Sequence, residues 1–322
     1  MSKKSMAARR QMARTEPRPG AARQAGAGRH QGRGYRRDAR GQRRPWGLIS
    51  AILGVVAVFV VVVLVAENTL NGNLTQDTTV TPASPALMHS VTSIPASTIE
   101  APAGGTVSNY PLRIPATYKA QALTSHGLPE VLYVGAEYCP YCAVQRWSLI
   151  VALSRFGTWS NMHTIRSSVY ETGLASLPTF TFAHGGTYTS PYVAFVGREY
   201  QSNVSLHHDG SPYARLQNLN TTEAKAFSGI DPQGGYPFVD FGGKTVTLGS
   251  PWGDADVAAL DGLTWSQVAS HLHDPSSHVA KDILGGANYD TAAICQLTGD
   301  KPGKVCGGAT IQALESKIQA SS

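Results

Sequence analysis

The chain has 322 residues, enough for one or two domains with a real core, and its formal charge of +6 is unevenly spread. Residues 1–45 hold 14 of the 27 Lys/Arg and only 2 of the 21 Asp/Glu, so the remainder is net acidic at −6. A basic surplus confined to one tail argues against nucleic-acid binding by the main domain.

Residues 1–45 carry almost no large apolar side chain, and such a segment cannot bury enough surface to fold; it is read as a disordered basic tail. Trp46 to Ala66 follows, 21 residues without a charge, long enough to cross a bilayer as one helix. Arg43-Arg44 before it and Glu67 after it place the tail in the cytoplasm and all that follows outside it. A cleaved signal peptide ending at Ala66 is the competing reading; the long apolar run and long leading tail favour an uncleaved anchor. Residues 67–88 read as a Thr/Asn/Pro/Ser linker, and 89–322 as the extracytoplasmic domain. Asn73, Asn203 and Asn220 head Asn-x-Ser/Thr triplets, a weak glycan signal.

Within the domain, Val91 to Ile99 and Leu112 to Ile114 are read as edge strands or extended segments. The informative stretch is Val131-Leu-Tyr-Val-Gly-Ala-Glu-Tyr-Cys139-Pro-Tyr-Cys142: strand composition, a small-residue turn, then two cysteines spaced by two. From Ala143 the apolar positions recur at helical steps, predicting a helix over 140–156 that ends at Gly157. A helix start leaves backbone N–H groups unpaired and carries partial positive charge, which favours a thiolate. The pattern predicts Cys139 as a solvent-facing, low-pKa nucleophile and Cys142 as the resolving thiol one turn further in. Pro140 suits the first helical turn, where its missing N–H costs nothing. Tyr138 and Tyr141 flank the cysteines. Half a zinc site is the alternative, needing Cys295 and Cys306 to complete it, and those two lack a matching spacing.

Further on, a strand is predicted near 162–168, β-forming runs at 179–182 and 192–196, and a helix opening at Asn220 or Thr221. Gly234-Gly-Tyr236-Pro237 leads into an alternating run, then Gly242-Gly243 and a second run, which reads as a β-hairpin. Helices are expected from Thr264 to about Leu272, from Ser276 to near Leu297 with a break at Gly285-Gly286 held open, and from Ala309 to Gln319. Cys295 and Cys306 flank a loop between two of them and are expected to be bonded in an oxidising compartment, worth about 3 kcal/mol in the chain-entropy model. His207-His208 and the group His271, His273 and His278 are read as solvated side chains, so no metal ligand and no cofactor is predicted.

Ala136-Glu-Tyr-Cys-Pro-Tyr-Cys142 resembles the thioredoxin superfamily, with a glutaredoxin-type Pro-Tyr dipeptide between the cysteines. The longer string Tyr133 to Ala143, followed by Arg146-Trp147, resembles an uncharacterised family of membrane-anchored thioredoxin-like proteins of actinobacteria and archaea, over about residues 89–320. The resemblance implies an α/β, thioredoxin-like domain with a β-rich insertion at about 169–230 and a helical C-terminal extension, preceded by one transmembrane helix. It also implies a cis-proline facing the cysteines, with the residue before it offering backbone groups to an extended substrate. Tyr236-Pro237 is favoured for that role because a hairpin follows it, with Leu177-Pro178 as the rival. Two departures stand out. Tyr133 occupies the place of thioredoxin's buried Asp, six residues before the first cysteine, leaving Glu137 as a substitute or as a solvated surface group. Cys142 and Pro237 are 95 residues apart, longer than in a minimal thioredoxin. The predicted function is disulfide exchange with extracytoplasmic protein thiols or disulfides, reset by a membrane or soluble redox partner. The alternatives are a non-catalytic envelope binding or assembly module and a metal-delivery protein.

Overall fold

The computed structural model describes residues 74–171 and 173–321. The basic tail and the span predicted at 46–66 therefore lie outside the described residues. Among the described residues no helix is long and apolar enough to cross a membrane.

Folded chain begins earlier than the sequence suggests. β1 (Thr81–Pro82), α1 (Pro85–Thr92) and α2 (Ala96–Glu100) precede the central sheet. The segment read as a linker to residue 88 thus supplies a strand, paired antiparallel with the chain at 163–164, and half of a helix. Val91 to Ile99, expected as an edge strand or extended segment, is instead the end of α1, a break at 93–95 and most of α2. Ser84 Oγ accepts the Leu87 N–H, Pro85 opens the first turn, and Leu87 and Val91, four apart, bury one face. That spacing outweighs the β-branched composition that suggested a strand.

β2 (Leu112–Arg113), β3 (Thr124–Ser125) and β4 (Leu128–Gly135) lead to α3 (Pro140–Ser154). Next come β5 (Thr158–Ser160), β6 (His163–Arg166), β7 (Pro178–Thr181), β8 (Thr187–Thr189) and β9 (Ala194–Glu199). β10 (Gln201–Ser205) and β11 (Tyr213–Arg215) form a hairpin ahead of α4 (Thr221–Ile230). β12 (Phe238–Phe241) and β13 (Thr245–Leu248) make the second hairpin. The chain closes with α5 (Asp254–Val257), α6 (Trp265–His271), α7 (His278–Thr298), α8 (Gly303–Cys306) and α9 (Ala309–Gln319).

The result is a mixed α/β architecture. In the central sheet β4 lies between antiparallel β12 and parallel β9, and β13 and β2 continue outward from β12. Alternation along β4 explains its unbroken apolar run. Val131 and Tyr133 face α3 and α7 together with Val239 and Phe241, while Leu132 and Val134 face α4 with Phe238 and Val246. A strand covered on both faces needs apolar residues at every position.

α3 is buried almost all round, from Cys142 to Leu153, because α7, β7, β5, α1 and α5 pack around it and Val131, Tyr133, Val239 and Phe241 of the central sheet share its core. Trp147 is fully buried and donates from Nε1 to the Pro178 carbonyl at 2.9 Å; truncating such a residue to Ala costs about 3–5 kcal/mol. α7 runs unbroken through Gly285-Gly286. A Cβ at Gly286 would lie 2.5 Å from Trp252 Cζ2 and 2.7 Å from Ser148 Oγ, so the glycine marks close approach to α3 rather than a helix end. Cys295 and Cys306 are disulfide-bonded, which removes them as partners in a four-thiolate metal site.

The stretch 169–230, expected as one insertion, is divided by the sheet. β9 within it is the parallel neighbour of β4 and α4 covers the sheet's far face, while β8 pairs with β5 from before the stretch and β10 with β11. Of the three Asn-x-Ser/Thr asparagines, Asn203 is buried and donates to the Asp77 and Arg166 carbonyls, Asn220 caps α4 in a capping box with Glu223, and Asn73 lies outside the described residues.

Candidate functional site: a covered dithiol at a helix start

β4 ends at Gly135, and Ala136 to Tyr138 turn the chain, with the Cys139 N–H donating to the Ala136 carbonyl at 3.2 Å. Cys139 then occupies the N-cap of α3: its backbone is extended, and its Sγ accepts the Cys142 N–H at 3.3 Å, the place Ser or Asp takes at other helix starts. Pro140 fills the first helical position and Cys142 lies in the first turn. Both thiols are free.

The pair is covered. Cys139 retains 5% of its surface and Cys142 none. Tyr138, Tyr141 and Tyr236 pack against the small buried cluster of Ala136, Cys139 and Cys142. Tyr138 stacks on Tyr213 with centroids 4.0 Å apart and planes 3° apart, and the Tyr213 hydroxyl is tied to Ser168 and Glu171. Tyr141 donates from its hydroxyl to Asp254 Oδ1 at 2.6 Å. Tyr236 stacks on Phe227 of α4 and precedes Pro237 through a cis peptide bond at the start of β12. Pro178, the rival proline, opens β7, and its carbonyl receives Trp147 instead.

Electrostatics differ from the sequence-based expectation of a solvent-facing Cys139 thiolate. Burial first, then a hydrogen bond to Cys142, push the Cys139 thiol well above its ordinary value. Burial also pushes Cys142 up, but the hydrogen bond from Cys139 and the charge of Arg146 outweigh it and hold Cys142 low. Of the two, Cys142 is therefore the thiol that gives up its proton more easily. The helix start still contributes, since the Cys142 N–H pulls Cys139 down against the larger effect of burial.

Arg146 is the group sequence reasoning missed. It is fully buried and grips Glu199 with two hydrogen bonds of 2.8 Å each, Nε to Oε1 and Nη2 to Oε2, while Nη2 also donates to the Ala136 carbonyl at 2.5 Å. Its position four residues after Cys142, on the same side of α3, was a readable signal. Glu199 was not readable, because it reaches the site only through the register that sets it beside Gly135.

Glu137 is buried rather than solvated. Its Oε1 accepts from Thr181 Oγ1 at 2.7 Å and faces His184 Nε2 at 3.3 Å; burial and then the nearby Glu199 raise its pKa. Tyr133, at the position of the expected acid, is fully buried with a hydroxyl that has no hydrogen-bond partner. Its oxygen would sit 2.1 Å from a Cβ on Gly135, which explains the glycine there. His207, His208, His271 and His273 are exposed. A hollow of about 610 Å³ beside Trp159, Tyr188 and Phe195 includes no residue of the cysteine segment.

Fold and site together define a mixed α/β protein with a covered dithiol at the mouth of a buried helix. Residues 115–226 match the model of a family described as a domain of unknown function, DUF929, a span that contains both cysteines, Arg146 and Glu199. No curated protein and no solved structure matches the chain.

Proposed function

We propose that the chain is a membrane-anchored thiol–disulfide oxidoreductase of thioredoxin-like fold, acting outside the cytoplasm on protein thiols or disulfides through Cys139 and Cys142. The observation that carries this reading is the placement of Cys139 as the cap of α3 with Cys142 in its first turn and Tyr236 packed against their cluster. The strand order supports it too: the dithiol strand β4 sits between a parallel strand and an antiparallel hairpin, with helices on both faces.

In the exchange, Cys139 is the sulfur a substrate can reach, since Cys142 is sealed. An extended substrate chain displaces the tyrosine cover beside Tyr236. The proton held by Cys139 passes to Cys142, and the Cys139 thiolate attacks one substrate sulfur. The substrate S–S bond breaks, a mixed disulfide forms, and a substrate thiolate departs. Cys142 then gives up its proton, readily because its pKa is low, and attacks Cys139 to close the internal disulfide and release the second substrate thiol. Two electrons pass to the substrate, with one proton from the pair and one from water. A partner dithiol of matching potential resets the pair; with a dithiol substrate every step runs in reverse.

The burial of Cys139 favours one second reading, a non-catalytic envelope binding or assembly module in which the covered pair serves the fold. Trapping separates the two. The Cys142→Ser protein expressed in cells is expected to accumulate mixed disulfides through Cys139, and the Cys139→Ser/Cys142→Ser protein none. Absence of adducts in correctly exported Cys142→Ser protein, or equal insulin-reducing activity in the Cys139→Ser and parent proteins, would leave the module reading in place.

A further inference from the structure

We infer that Asp256, His278 and Asp282 form a binding site for a divalent transition cation of the Zn²⁺ type, distinct from the two cysteines. His278 opens α7, Asp282 lies one turn further along the same face, and Asp256 is brought to them by α5. His278 Nε2 is 3.2 Å from Asp256 Oδ1 and 3.6 Å from Asp282 Oδ2, and the three ligand atoms all lie within 4.8 Å of one another. Ligands bound at about 2.0–2.1 Å around a tetrahedral ion stand roughly 3.4 Å apart, so the first two spacings already suit one ion.

The second observation is Asp282 itself. Its side chain is fully buried, Oδ1 accepts from Thr106 Oγ1 at 2.6 Å, and Oδ2 points into the cluster with no hydrogen-bond partner. A buried carboxylate oxygen left unpaired costs free energy unless something positive meets it. Thr106 orients the carboxylate, as hydrogen-bond partners of metal ligands do. The second oxygen of Asp256 accepts the Gly253 N–H at 3.2 Å, which turns Oδ1 toward His278. His278 is half exposed and leaves a path for the ion and room for a water ligand.

One imidazole and two carboxylates select zinc-like ions over calcium or magnesium, which take six or more oxygen ligands or keep most of their waters. The ion would fasten α5 to α7. Since α5 also carries Asp254, the acceptor for Tyr141, the clamp would steady one wall of the dithiol cover.

The test is zinc retention by the full-length chain, stripped with chelator and dialysed against Zn²⁺. Both the parent and the Cys139→Ser/Cys142→Ser protein are expected to retain one ion per chain at this site. His278→Ala, an exposed change, and Asp282→Asn in the cysteine-free background are each expected to weaken binding by at least about tenfold, the scale seen when even a ligand's hydrogen-bond partner is lost. Cobalt bound in that background should show ligand-field bands without a sulfur-to-metal charge-transfer band. The inference is overturned if the parent retains no zinc, if retention disappears in the folded cysteine-free protein, or if His278→Ala binds as tightly as its parent.

Discussion

Glu199→Gln tests what the buried ion pair does for the dithiol. Glu199 and Arg146 are both fully buried and joined by two hydrogen bonds, so neutralising one leaves an uncompensated charge in the interior. Breaking such a pair costs about 3–5 kcal/mol; Gln keeps the volume and one acceptor, placing the loss near about 3 kcal/mol, or about 6–12 °C in Tm at this chain length. Arg146→Met/Glu199→Leu removes both charges and should recover part of that stability. What it fails to recover is the bond to the Ala136 carbonyl, worth about 1–3 kcal/mol when left unmade. The Cys142 titration should move in opposite directions in the two variants. Burial raises Cys142, and Glu199 adds to that, while the hydrogen bond from Cys139 and Arg146 lower it. Glu199→Gln therefore lowers the Cys142 titration, while the double variant raises it in a protein more stable than Glu199→Gln. Urea unfolding under reducing conditions and the ultraviolet absorbance of the thiolate against pH, in the Cys139→Ser background, read the two quantities separately. Thiol titrations shifted in the same direction in both variants, or undiminished stability in Glu199→Gln, would refute the reasoning.

Asp290 is buried and accepts hydrogen bonds from Gln145 and Ser148; burial pushes it up to about 7 against those two bonds. Its folded pKa exceeds its unfolded value, so the folded state holds the extra proton and stability falls as pH rises between about 4 and 7. Asp290→Asn should flatten that slope and add on the order of 4 kcal/mol at and above neutral pH, with Asp240 still contributing in the same sense; an unchanged slope in urea titrations would count against the assignment. Gly286→Ala should destabilise by about 1–3 kcal/mol through contact with Trp252 and Ser148. The reverse sign, the gain of about 1 kcal/mol expected for replacing an ordinary glycine inside a helix, would show that α7 can draw back from α3. Tyr138→Ala removes the ring stacked on Tyr213 and should speed alkylation of Cys139 by up to about tenfold, matching a stacked pair worth roughly 0.5–1.5 kcal/mol. An unchanged rate in a protein of unchanged stability would mean that Tyr138 does not guard the sulfur.

What could be read without coordinates is what local chemistry specifies. The strand before the cysteines, the helix after them, the Asn220 cap and the Gly242-Gly243 hairpin each lie within a dozen residues, where period, caps and turn residues act on neighbouring groups. The 91–99 region misled because its β-branched composition outweighed, on reading, the four-residue step between Leu87 and Val91. Gly285-Gly286 looked like punctuation because a glycine required by a neighbouring helix has the same letter as one that ends its own.

The exposure and charge of the site belong to another level. Nothing local places Tyr236 over Cys139 from 97 residues away, or sets Glu199 against Arg146 through a parallel register, or collects Asp256 and Asp282 around one imidazole. The sequence alone determined that sulfur stands at a helix start. Tertiary packing decided that this sulfur is covered and that its thiol is shifted up while its inner partner's is shifted down, because burial and long-range charge act through space and a helix cap acts through the chain.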